Sequence, residues 1–297
     1  MIKWRMPKSC LLIPLILLQS LLPAQDAAAE VPVASDPSLR PTLEAVYLSW
    51  RNAMATTNVA EWEKSTALSR QFDTRNRIVS QKLPFPQALF DDPVEAPSLS
   101  GLIALGVLST GETATSTYFG KANFGEGETA VANNLIVLHF IREEGVWKFD
   151  NLRVVKLGND GEILLQIRNQ DFSFLRGKEF LPEPQLPPLP PQVSQPDYIA
   201  EIWLTSLGYE TEVSVNGILS GKISDNSGKD LLIGGLRKGE NSITIKTKRI
   251  PESNQITPRL EIAIYAAGGP GEQANRVFHL PAGETVAPLI QQKFVAD

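Results

Sequence analysis

Residues 181–196, LPEPQLPPLPPQVSQP, divide this chain in two. Pro182, Pro184, Pro187, Pro188, Pro190, Pro191 and Pro196 remove backbone donors and fix φ, so neither a helix nor a strand ladder can run through. The stretch predicts an extended polyproline II spacer, at about 3.1 Å per residue and roughly 45 Å overall. The hydrophobic period and the turn chemistry differ on its two sides. The chain therefore reads as two modules, residues 36–180 and 197–297, held apart by a stiff proline-rich linker.

Residues 1–29 read as a signal peptide. Lys3, Arg5 and Lys8 form a basic start, residues 11–22 are mostly apolar, and Ala27-Ala28-Ala29 offers a small-residue cleavage site, with Ala24 as a second. The apolar run is too short to span a bilayer comfortably. The expectation is a periplasmic or secreted protein with no membrane span after leader cleavage. Cys10, the only cysteine, lies inside this leader. The mature chain would then carry no thiol, which excludes disulfides, a cysteine nucleophile and thiolate metal sites.

Charge narrows the partners. The whole chain has net charge −5. Losing the leader's three basic residues and Asp26 takes this to −7, which argues against nucleic acid, since a phosphate backbone demands a basic face. The densest basic cluster, Lys246, Lys248 and Arg249, alternates with threonines and reads as a solvated strand face.

In the first module, Asp36-Pro37 and Arg40-Pro41 are helix-start signals. Leu43, Val46, Tyr47, Trp50 and Met54 follow at helical spacing. Asn58 with Glu61 three positions on predicts a second, short helix through Trp62. Leu68, Phe72, Ile78 and Val79 predict a third, which stops before Pro84. Beyond residue 101 the period changes to two, giving strands over 102–110, 113–121, 130–142 and 146–157, and Asn159-Asp160-Gly161 predicts a hairpin into a last strand over 162–167. Helices followed by antiparallel strands define an α+β unit with helices packed on one face of a curved sheet.

The segments TTNVAEW, RQFDTRNR and, above all, NNLIVLHFIREEGVWKFDNLRVV resemble the NTF2-like, cystatin-type α+β family over about 140 residues. That resemblance implies a conical pocket between sheet and helices, in a family that holds isomerases, dehydratases and many non-catalytic binding or dimerising modules. Three residues are candidates to line it. His139 shares a strand face with Leu135, Val137 and Ile141, and a neutral imidazole there is a candidate general base or ligand-orienting group. Tyr118 is a candidate oxyanion donor, and Asp150 matches the aspartate of the Trp-Lys-Phe-Asp hairpin. No carboxylate base can be assigned at a matching position, which counts against the isomerase chemistry.

In the second module strands are expected over 198–205, 210–215, 230–234, 242–248, 259–266 and 276–280. They are separated by turns such as Asn216-Gly217 and Asp225-Asn226-Ser227-Gly228, the pattern of an all-β sandwich. EVSVNGILSG and LLIGGLRKGENSITIKTK are similar to the galactose-binding-like jelly rolls. That likeness implies scaffold, and sugar-binding members of the group carry exposed aromatics. Trp203 and Tyr265 are expected inside the core, because both fall within strands. Asp225, Asn226, Ser227 and Asp230 carry oxygen ligands, yet their spacing fits no calcium loop and reads as a solvated turn.

Nucleophile-elbow, P-loop, zincin and dinucleotide-binding motifs are all absent, and the sequence implies no metal and no cofactor. The expectation is an exported, non-catalytic protein. Its partner would be a small apolar ligand, an envelope protein, or a second copy through the NTF2-like sheet. Two alternatives stand beside it: an isomerase- or dehydratase-type enzyme built around His139, and carbohydrate binding by the second module.

Overall fold

The computed structural model describes residues 33–91, 96–121, 133–157, 161–251, 257–283 and 286–297. The leader with both cleavage sites, Asp92 and the Asn159-Asp160 pair lie outside the described residues. Mixed α and β structure is present, with antiparallel sheets predominating. No helix among the described residues is long and apolar enough to cross a membrane.

Helix α1 (Arg40–Ala55) is launched by Asp36, whose carboxylate accepts the amide of Ser38, and by the φ-fixing Pro37 and Pro41. Its Leu43, Tyr47 and Met54 are buried. Helix α2 (Val59–Ser65) starts as expected, with Asn58 Oδ1 accepting from the Glu61 amide at 3.1 Å. Helix α3 (Leu68–Ser80) departs from the expected apolar stripe. Leu68 is exposed, whereas Ser69, Thr74, Asn76 and Ser80 are buried together with Ile78.

The first sheet is an antiparallel meander of β1 (Ala34–Ser35), β2 (Ile103–Ser109), β3 (Thr113–Lys121), β4 (Asn133–Glu143) and β5 (Val146–Lys156), in that order. Along β4 the period-two reading holds. Ile136, Leu138 and Phe140 pack towards α1 with Leu43, Tyr47 and Phe149. Leu135 and Val137 face the other way, against Leu157, Ile167, Leu175 and Phe180. A strand covered on both faces needs an unbroken apolar run, which is what residues 135–138 supply. The hairpin expected at Gly161 is instead helix α4 (Gly161–Arg168), and with a 3-10 turn over Ser173–Arg176 it covers the second face. The local turn signal lost to the burial of Ile167, with Ile163 and Leu164 packed beside it. The apolar part of the sheet face expected to pair two copies is therefore covered by the chain's own residues.

The second unit holds six antiparallel strands: β6 (Ile199–Val215), β7 (Ile218–Leu231), β8 (Gly239–Arg249), β9 (Arg259–Ala267), β10 (Asn275–Gly283) and β11 (Leu289–Ala296). The two strands expected over 198–205 and 210–215 are one, and the expected turn at 225–228 lies inside β7. Along one side β6 pairs throughout with β7. On the other side its first half pairs with β9 and its second half with β8, so a single curved sheet runs β10-β9-β6-β8-β11. The unit expected to be all-β is all-β among its described residues. The end strands meet across the core, where the Phe278 and Phe294 rings lie 5.2 Å apart.

The bend that makes this possible sits at Gly208, with φ +72. A side chain there would run into the Arg249 guanidinium. The Gly208 amide donates to Asp225 Oδ1 at 2.7 Å, and its carbonyl accepts from Arg249 Nη1 at 2.7 Å. Asp225 itself adopts φ +48, so facing strands carry matching kinks where the register shifts between Ser206 and Glu210.

Between the units, residues 184–189 are exposed, as an extended spacer should be, but the spacer is pinned at both ends. Thr115 and Thr113 hydroxyls donate to the carbonyls of Phe180 and Glu183 at 2.7 and 2.5 Å. At the far end Asn76 Nδ2 donates to Pro191 O at 2.9 Å, while Asn76 Oδ1 accepts from Val193 N at 3.1 Å. Arg75 reaches Val193 O at 3.0 Å. Ser80 Oγ accepts from Gly234 N at 2.8 Å, Lys82 Nζ donates to Gly268 O at 2.7 Å, and Arg77 pairs with Asp230 at 3.4 Å. The expectation of modules held apart is corrected: the polar face of α3 joins them. It also explains why α3 buries Asn76 and Ser80, which hydrogen-bond to backbone across the junction.

Replacing Asn76 with Leu strands the Pro191 carbonyl and the Val193 amide without partners. The expected loss is about 2–4 kcal/mol, from the cost of unsatisfied buried groups. Scanning calorimetry should show one unfolding transition in the parent and two separated ones in Asn76→Leu.

Candidate functional site

The structure separates the three residues that the sequence groups as a site. Tyr118 points to the helix side of the first sheet, where its hydroxyl donates to Glu44 Oε1 at 3.0 Å and accepts from Ser116 Oγ at 2.9 Å. Burial drives its phenol above the ordinary tyrosine range. With both partners in the protein, it is spent on structure. The space around it is occupied. Tyr47, Trp50, Phe140 and Phe149 form a cluster with Phe149 at 4.3 Å from Trp50, 5.4 Å from Tyr47 and 5.9 Å from Phe140. Side chains fill the cone among the described residues.

His139 lies on the opposite face, next to Thr115 of β3 and Asn151 of β5. It is half-buried and makes no hydrogen bond among the described residues. Burial first, and Arg153 second, push its imidazole down to about 4. It is therefore a neutral ring at neutral pH, without the carboxylate partner a general base needs. Asp150 is the extra residue where the β4–β5 register slips between His139 and Phe140. Burial raises its carboxyl to about 6; Arg70 opposes this, while Asp73, Glu143 and Glu183 add to it. Tyr118 and His139 thus stand on opposite sides of a packed sheet and cannot act on one ligand.

The second unit offers a better-formed site on the outer face of its sheet. Along β6, Ala200, Ile202 and Leu204 turn inward, leaving Glu201, Trp203 and Thr205 outside. Along β9, Leu260, Ile262 and Ile264 turn inward, leaving Glu261, Ala263 and Tyr265 outside. The ladders set these side by side: Trp203 opposite Ala263, Glu201 opposite Tyr265, Thr205 opposite Glu261. Beyond them β10 contributes Arg276 beside Tyr265 and His279 beside Ala263, and β7 contributes Lys229 beside Trp203. The small Ala263 floors a shallow groove of about 450 Å³, inside the ~300–1,000 Å³ range of small-ligand sites.

Trp203 is 39% exposed, which corrects the expectation that it and Tyr265 lie in the core. The two rings form one wall, with centroids 5.2 Å apart at 50°. The indole is held in place from two directions. Its Nε1 donates to Glu201 Oε2 at 2.6 Å, and Lys229 Nζ lies 5.4 Å above its ring while pairing with Glu201 Oε1 at 3.6 Å. Across the groove Glu261 accepts from Arg259 at 2.5 Å and contacts His279 Nε2 at 3.2 Å. The Arg259 bond first, and His279 second, hold the Glu261 carboxyl below its usual range. The arrangement is a fixed aromatic wall flanked by planar hydrogen-bonding groups.

The turn expected at 225–230 does not gather as a cation loop. Asp225 caps Gly208 at the sheet bend, and Asp230 pairs with Arg77 at the junction. The chain matches no protein-family model, no curated protein and no solved structure.

His139 and Asp150 give opposite pH dependences. With a folded pKa below its unfolded value, His139 makes the native state bind fewer protons between pH 4 and 6.5, so its contribution to stability is lost as pH falls through that window. Asp150, with a raised folded value, makes the native state bind more protons between about pH 4 and 6, so its contribution falls as pH rises. Each amounts to at most about 3 kcal/mol. Relative to the parent, His139→Gln should lose stability as pH rises from 4 to 6, and Asp150→Asn should gain it. Thermal melts at pH 4, 5, 6 and 7 check both signs.

Proposed function

We propose that this is an exported, non-catalytic binding protein whose ligand is a carbohydrate, held on the outer face of the second unit. The first unit, read as an NTF2-like helix-over-sheet fold, serves as a closed support, and the second, read as galactose-binding-like, presents the groove. One observation carries this reading: a solvent-facing indole and phenol, pre-set by Glu201 and Lys229, stand beside Glu261, His279 and Arg276 in one groove. The apolar CH faces of a sugar ring stack on aromatic rings, and its hydroxyls bond to planar side chains at the rim. Holding the indole before binding cuts the entropic cost of association. The filled cone of the first unit supports a scaffolding role there over an apolar-ligand site.

Full-length protein should bind at least one polysaccharide in affinity electrophoresis. Trp203→Ala should weaken that binding about tenfold or more, the loss of one stacking contact, while its melting temperature stays close to the parent's because the side chain is exposed. Ala263→Phe, which fills the groove floor, should act in the same direction. Unchanged affinity in both variants would overturn the reading.

A further inference from the structure

Within the groove, charge is unevenly used. Glu201 is engaged by Trp203 Nε1 and Lys229, and Glu261 by Arg259 and His279. Two carboxylates are thus matched by Lys229 and Arg259, two fixed cations. Arg276 is left over. It projects from β10 next to Tyr265, is exposed, and makes no hydrogen bond or ion pair among the described residues. The groove therefore carries one uncompensated positive charge, in a chain whose net charge is −5. That charge is a guanidinium, a planar fork that matches a carboxylate two bonds at a time, and it stands at the Tyr265 end of the aromatic wall.

Resting on the carbohydrate reading above, we infer that the groove selects acidic sugars. A uronate or similar ring stacks against Trp203 and Tyr265 while its carboxylate pairs with Arg276. A neutral sugar keeps the stacking and the hydroxyl contacts but gives the guanidinium no charge to pair with. Phosphate or sulfate esters would meet the same cation, but a carboxylate fixed directly on the ring suits a single fork beside a flat aromatic wall. The chain's overall negative charge penalises anionic polymers in general, so preference for an acidic sugar must come from this local exception.

The test compares matched pairs that differ only in the acid: polygalacturonate against its methyl ester, and sialylated against desialylated oligosaccharides, titrated with the full chain. The parent should bind the acidic member of at least one pair about tenfold more tightly, and the preference should shrink as salt is raised. Arg276→Gln should erase the preference, so that both members of a pair bind with equal affinity, whereas Trp203→Ala should weaken both members and keep the preference. Equal affinity for acid and neutral members, or a preference that survives in Arg276→Gln, overturns the acidic-sugar inference and leaves the carbohydrate reading standing. Failure of the parent to bind any member of any pair overturns both.

Discussion

The bidentate contact between the Asn76 side chain and the spacer fixes the relation of everything else in the molecule. An amide that gives to Pro191 and takes from Val193 recognises backbone, not side chains, at a place where prolines have stripped the chain of other ways to hydrogen-bond. Buried nearly completely, that amide must be satisfied, and the spacer's backbone satisfies it. Arg75 then holds the same spacer residue, Val193, while Ser80 and, just past the end of α3, Lys82 bind backbone of the second unit.

Both faces of the first sheet are packed among its described residues. Leu135 to Leu138 are fully buried on alternating sides, one against helix α1 and the other against α4 and Phe180. On the helix side, the Tyr118 hydroxyl is bonded to Glu44 and Ser116. The second unit inverts this economy. Its curved sheet closes one face over an aliphatic core and leaves the other to solvent, and there the unusual side chains collect.

Much of the helix-over-sheet unit is legible in sequence, because caps and period are local signals: Asn58 and Glu61 mark α2, and the alternation along β4 assigns each residue its face correctly. Failures arise where distant contacts decide. Gly161 follows a strong hairpin signal, but the apolar residues after it find a sheet face to cover and coil instead. Residues 225–228 have turn composition because β7 must kink opposite Gly208, not because the chain reverses. The polar burial on α3 is invisible until the spacer folds back onto it. Trp203 and Tyr265 are the instructive case. Their strands are correctly expected, and strict alternation with Ile202, Leu204, Ile262 and Ile264 already puts both aromatics on the opposite face. Hydrophobic identity points these rings inward, and strand phase overrules it. Neither Glu201 nor Arg276 carries any signal of its own, since their roles come from strand register.

The exposed middle of the spacer has one further property. Four of the seven residues from 184 to 190 are proline, so this stretch presents carbonyls but few amides along its length. Most endopeptidases read a substrate as an extra β-strand laid along their cleft, and aggregating sheets recruit neighbours in the same way. A segment that cannot complete that ladder can stay solvent-bathed without being cut or recruited. An exposed length of the spacer is thereby also hard to digest.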